Sequence, residues 1–306
     1  MNIWQDIKWQ YRYGSDLIKL IIINCAVFIL VNLIQLPFAL MAKSLPFDIV
    51  HFLALPASFS NFLFHPWSII TYQFVHEGFF HILFNMLGLY WFGIIAQDMI
   101  GKPKILPIYI LGGIFGGVLY MLAYNLFPVF SSALPMATCI GASAAVMAIV
   151  LAAATIAPEY EMGLLFFGVI KIKWIALAYV VLDLINMQHG NAGGHIAHLG
   201  GAFFGFMYIK LLQNGTDLAT PFFKVSDFVS NLFKKKNKMK VEYKREYVYT
   251  NTNTSNQNKK ANTKIQKENK TKQEQLDDIL DKINRSSYDS LTKEEKDFLF
   301  KISQED

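Results

Sequence analysis

Charge is what this chain has least of. Only 17% of its 306 residues are charged, against 53% apolar and 15% aromatic. A soluble globular domain lies nearer a quarter charged. The shortage is also local: residues 17–212 are sparsely charged, while 213–306 are crowded with Lys, Asp, Glu, Asn, Gln and Thr. A single soluble globule is excluded, and a membrane body followed by a polar tail is expected. Cysteine is almost absent too. Cys25 and Cys139 both sit in apolar surroundings and read as packing residues, which excludes a disulfide framework. No small-residue cleavage site follows the first apolar run, so no removable signal peptide is expected. The His-Glu-x-x-His pattern of metal-dependent membrane peptidases is also missing. The histidines of His76-Glu77-Gly78-Phe79-Phe80-His81 are five apart and fall on different helix faces. No cofactor, metal ion or nucleic-acid partner is expected.

What is present is a series of apolar runs. A span needs about 20 mostly apolar residues. Six candidates fall at 17–35, 80–96, 105–126, 141–157, 174–186 and 194–212, the fourth and fifth being short. The fold class that follows is an all-α polytopic membrane bundle of six transmembrane helices with a small cytoplasmic helical tail. Lys8, Arg12, Lys19, Lys102, Lys104, Lys171, Lys173, Lys210, Lys224 and Lys234–Lys236 all fall on one side of such a bundle. Lys43 stands alone on the other. The positive-inside rule then puts both termini in the cytoplasm and predicts a protein of the cell (inner) membrane.

The expected domain plan has a cytoplasmic segment at 1–16 and a membrane domain at 17–212. An interfacial helix with a basic segment covers 213–249, a disordered linker 250–275 and a small helical hairpin 276–306. Phe222, Val225, Phe228, Val229 and Leu232 share one face of the interfacial helix, suited to membrane lipids. Thr292 to Glu295 reads as a capping box opening the last helix. Two short helices bury little core, so the hairpin is expected to dock on this chain or on another protein. The loop 36–79 is apolar and is expected to lie partly in the outer leaflet.

The chemistry-bearing residues gather at the outer ends of the spans. Ser143 opens the fourth run within Gly141-Ala142-Ser143-Ala144-Ala145, and His198 lies in the sixth, about 55 residues later. Polar groups at membrane depth are costly and are functional candidates by default. A serine in a first helical turn sits beside free backbone N–H groups and the positive end of the dipole, where an oxyanion is stabilised. Gly141 permits the unusual backbone conformation that a sharp helix start asks for. Imidazole is the commonest general base near neutral pH. His195 and His198, i and i+3, also suit a metal, which would ask for further ligands such as His81 or His76 with Glu77. His81 and Asn85, i and i+4, share a face; they form either a structural pair or two donors aimed at an oxyanion. Gly201 and Gly205 either bring the sixth helix against the fourth or serve general packing. Asp183, near the outer end of the fifth span, could be the third member of a triad, but it is expected to bond to a loop or face water.

In order along the chain, a Trp67-containing loop, His76, His81-Ile82-Leu83-Phe84-Asn85, Gly141-x-Ser143 and Ala197-His198-x-x-Gly201-x-x-x-Gly205 closely resemble the rhomboid intramembrane serine proteases, bacterial six-span type. The resemblance covers about residues 15–212. It implies Ser143 as nucleophile and His198 as base in a dyad. It also implies an oxyanion hole from the Ser143 amide, His81 and Asn85, with His76 supporting the loop. The implied substrates are transmembrane proteins. Three positions depart from the family pattern: Ala144 for glycine, Ser68 for the arginine after tryptophan, and Met147 for an aromatic ring in some members. A catalytically silent relative that grips membrane clients is the rival reading. A small-solute transporter would be expected to show matching halves with broken helices, and none is found.

Overall fold

The computed structural model describes residues 2–41, 47–164, 168–188, 190–233, 279–280, 282–283 and 291–302. These divide into two compact units, 1–235 and 236–306.

In the first unit, α1 (Ile3–Tyr13) is closed by a reciprocal Asn2–Gln5 capping box. Then come α2 (Asp16–Leu40), the short helices α3 (Ile49–Leu53), α4 (Phe59–Phe64) and α5 (Ser68–Thr71), and the long α6 (Phe79–Ile100) and α7 (Ile105–Leu126). α8 (Ser143–Ile156), α9 (Ile172–Asn186), α10 (Ala192–Gln213) and α11 (Ala219–Phe233) follow. Helices over 16–40, 79–100 and 102–126 are long and apolar enough to cross a membrane. α8, at 14 residues, is shorter but equally apolar. The architecture is an all-α polytopic membrane bundle.

α8 is the hub, packing against α6, α7, α9 and α10. Ten of its residues from Ala144 to Ala154 are buried. A helix apolar all round belongs in the centre of such a bundle, and its alanines let neighbours approach. Gly112, Gly116, Gly201 and Gly205 face it at distances where a Cβ would collide with Ala144 or Ala148. Packing of small residues is the main attraction between helices in lipid.

Two antiparallel strand pairs interrupt the helical plan. β1 (Leu55–Pro56) pairs with β2 (Thr138–Cys139), in the register Leu55 with Cys139. β3 (Glu161–Leu164) pairs with β4 (Gly168–Lys171) between α8 and α9. The first pair ties the long loop after α2 to the segment leading into α8, and the Ala57 N–H bond to the Ala137 carbonyl extends it. Around it the loop presents Phe59, Leu63 and Phe64 outward.

On α11, Val225, Phe228 and Val229 are exposed. In the second unit α12 (Lys293–Ile302) starts at a cap in which the Thr292 N–H donates to Glu295 Oε2 and the Glu295 N–H to Thr292 Oγ1. Lys282 bonds both oxygens of Glu295, which holds the carboxylate below its usual range. The linker 250–275 and Leu276 lie outside the described residues.

Candidate active site

The polar candidates lie on the loop before α6 (His76), the first two turns of α6 (His81, Asn85), the first turn of α8 (Ser143), the last turn of α9 (Asp183) and the first half of α10 (His195, His198). Between them opens a cavity of about 940 Å³, lined by His81, Asn85, Ser143, Met147, Asp183 and His198 among others.

The helix carrying Ser143 starts abruptly. Gly141 has φ +122°, a region L side chains rarely adopt, and its N–H donates to the Tyr72 carbonyl at 2.9 Å. A Cβ there would stand 2.7 Å from His81 Nε2. Gly141 is therefore required both for the backbone turn and for the space the His81 ring fills beside Ser143. Ser143 is the first residue of α8, so its N–H belongs to the set that no helical carbonyl satisfies. The rhomboid-like Gly-x-Ser is thus a turn that exposes a hydroxyl and an N–H to the cavity together.

His76 stands behind this turn. Its Nε2 accepts the Ala142 N–H at 3.4 Å, and its ring lies 5.1 Å from that of His81. Burial, with His81 adding to it, pushes the His76 pKa down to about 4. The ring is neutral near pH 7 and available as an acceptor. Asn85 donates from Nδ2 to the His81 carbonyl at 2.8 Å, leaving its second amide proton for the cavity. Cys139 is buried, and that burial pushes its thiol up to about 12, which makes it a packing residue.

Trp67 anchors the loop rather than the cavity. Its Nε1–H donates to the Phe52 carbonyl at 3.0 Å and its ring packs on Phe52 and His65. Thr71 Oγ1 adds a bond to the Leu53 carbonyl at 2.8 Å. These contacts hold the loop where Trp67 is followed by Ser68, whose hydroxyl is buried without a partner.

α10 is pressed onto α8 by glycine. A Cβ on Gly201 would come within 1.9 Å of the Ala144 carbonyl oxygen, and one on Gly205 within 2.0 Å of the Ala148 carbonyl oxygen. Ala144 itself fits because Gly116 faces it, where a Cβ would stand 2.8 Å from the alanine methyl. His198 reaches the cavity across this contact, although no hydrogen bond joins it to Ser143. Catalytic hydrogen bonds are often long before substrate arrives.

Asp183 takes the triad-like place and not the expected place on a loop or in water. It is 7% exposed, and its Oδ1 accepts from His198 Nδ1 at 2.9 Å and from His195 Nδ1 at 2.7 Å. An ionised carboxylate only accepts, so both Nδ1 atoms carry protons and Nε2 of a neutral His198 keeps its lone pair. One signal could have found this: Asp183 is the sole acid of its span, and a lone intramembrane acid calls for a named partner. Together Asp183, His195 and His198 also form the one potential metal-ligand group among the described residues.

The sequence has relatives. A rhomboid domain family matches residues 64–214, and a family of unknown function (DUF6576) matches residues 260–305. Presenilin-associated rhomboid-like protein A, mitochondrial, of Danio rerio is 29% identical over 167 residues, covering 53% of this chain and 41% of that protein. RHOMBOID-like protein 12, mitochondrial, of Arabidopsis thaliana is 30% identical over 147 residues, covering 44% and 43%. Inactive RHOMBOID-like protein 8 of the same plant is 33% identical over 82 residues, covering 27% and 23%. The chain spans less than half the length of each. These matches support the rhomboid family for the membrane body.

Proposed function

We propose that this protein is an intramembrane serine endopeptidase of the six-span kind, cutting peptide bonds in or beside transmembrane segments of other membrane proteins. The observation that carries the reading is the cavity that Ser143 and His198 share, with Asp183 behind the histidine.

Ser143 Oγ attacks the scissile carbonyl and His198 Nε2 takes its proton. The charge that develops on the carbonyl oxygen is met by the Ser143 N–H, His81 and the free amide proton of Asn85. His198 then returns its proton to the leaving amine, and water in the cavity hydrolyses the acyl-enzyme. Asp183 holds the imidazole in the tautomer this sequence needs and stabilises the imidazolium that forms. Lysine distribution supports both termini in the cytoplasm of a cell membrane and a cavity facing outward.

Purified protein in detergent is expected to label with a fluorophosphonate probe and to cleave a transmembrane substrate. Ser143→Ala and His198→Ala lose both. Folded wild-type protein that neither labels nor cuts refutes the reading and leaves a client-gripping protein, in line with the name of the inactive plant relative.

A further inference from the structure

His195 is not needed by the reaction above, yet it shares its carboxylate oxygen with the base. We propose that Asp183, His195 and His198 form a site for a divalent transition cation of the zinc class, and that its occupancy switches the base off. The inhibitory half rests on the endopeptidase reading; the binding half does not.

Three observations support the site. One ligand atom from each of Asp183, His195 and His198 lies within 4.8 Å of the others, and Asp183 Oδ1 stands 2.7 Å from His195 Nδ1 and 2.9 Å from His198 Nδ1. In a zinc site with bonds of about 2.0–2.2 Å, tetrahedral ligand atoms lie roughly 3.3 Å apart. Both pairs to the carboxylate must therefore open by a few tenths of an ångström, a movement within the reach of side-chain rotation. The donor set is also right. Two imidazoles and a carboxylate suit zinc and its neighbours, and catalytic zinc sites keep three protein ligands with water in the fourth position. Finally, the cluster is neither sealed nor free in solvent. Its side chains are 19%, 22% and 10% exposed for His195, His198 and Asp183, and His198 and Asp183 line the cavity, which can supply the fourth ligand and a path inward.

The consequence follows from the imidazole. Nδ1 of neutral His198 now carries the proton that Asp183 accepts. For Nδ1 to bind a metal, that proton moves to Nε2, with no net proton gained or lost. Nε2 then has no lone pair to accept the Ser143 proton. One cation therefore removes the base and takes the carboxylate that orients it. His195 supplies the second nitrogen without which a two-ligand site would be weak.

Chelator-stripped full-length protein is titrated with Co2+, whose visible absorption reports its ligands without any reference to activity. Wild type and Ser143→Ala are expected to develop bands at one equivalent. His195→Gln and Asp183→Asn are expected to bind at least about tenfold more weakly. His51→Gln, at another histidine lining the same cavity, keeps wild-type binding. Thermal unfolding without metal checks that each variant is folded. In parallel, Zn2+ lowers fluorophosphonate labelling of wild type, a chelator restores it, and His195→Gln shifts the zinc dependence upward by a similar factor. Folded wild-type protein without cobalt bands, or bands unchanged in both His195→Gln and Asp183→Asn, overturns the site. Stoichiometric cobalt binding to a wild-type protein that never labels keeps the site and removes the peptidase.

Discussion

Gly201→Ala is the sharpest perturbation the packing offers, because what the new methyl meets is backbone. The added Cβ would stand 1.9 Å from the Ala144 carbonyl oxygen and 2.7 Å from its carbon, where ordinary contact begins near 3.4 Å. A side chain could turn aside, but a carbonyl inside a helix cannot. α10 must therefore back away from α8 by about 1.5 Å at this level. Overpacking of this kind costs about 1–3 kcal/mol. Ser143 neighbours Ala144, and His198 lies one turn before Gly201, so the same displacement acts on the gap between nucleophile and base. A misplacement of about 1 Å costs roughly a hundredfold in rate. Gly205→Ala supplies the control, its added Cβ standing 2.0 Å from the Ala148 carbonyl oxygen, one turn further from the cavity. Thermal unfolding in detergent and cleavage of a transmembrane substrate in proteoliposomes would be measured on both variants. Similar losses of stability are expected, with a clearly larger loss of kcat for Gly201→Ala. Adding Ala144→Gly does not rescue it, because the clash is with main chain. Wild-type stability in Gly201→Ala, or equal loss of rate in the two variants, would refute the argument that this glycine sets the distance between the two catalytic helices.

Two further outcomes follow from the site. Asp183→Asn removes the charge behind His198 and permits the wrong tautomer, so kcat should fall by roughly a hundredfold or more with KM nearly unchanged; an unaltered rate would show that the histidine works without it. His76, pushed from 6.5 down to about 4 by burial and by His81, gives a stability contribution that is fully present above pH 6.5. It is lost as pH falls toward 4, because the unfolded chain binds the proton first. The loss approaches roughly 3 kcal/mol once the pH is below both values. His76→Gln should flatten the fall in unfolding temperature between those pH values, and a slope identical to wild type would rule His76 out as its source.

Much of the bundle was legible because membranes leave few alternatives. In lipid the backbone must satisfy itself, so an apolar run of sufficient length becomes a helix. The runs at 80–96 and 105–126 correspond to helices at 79–100 and 105–126. The Gly-x-Ser turn was legible for a similar reason, since one glycine at one backbone angle leaves a local mark. The strand pair Leu55–Cys139 was not. It joins segments some 80 residues apart by two residues each, too short for any alternating pattern to register. Yet that pairing, with the Gly141–Tyr72 bond, ties the loop to the residues that set the start of α8.

Asp183 was read toward a loop or water rather than as a triad member for a different reason, and that reason bears on the chemistry. Read along the chain it is a single acid near a helix end, where a loop or water would serve it. Its partners lie on the next helix, 12 and 15 positions later, and only the close packing of α9 and α10 brings them to one oxygen. Burying a carboxylate in such a place is unfavourable unless the charge is paired or its hydrogen bonds are supplied. One imidazole could have done that. The arrangement spends two on the same oxygen, and the second belongs to a residue with no part in serine attack. That surplus separates a plain serine–histidine–aspartate constellation from this one. It makes His195 the residue through which a base-orienting carboxylate can also be a metal ligand.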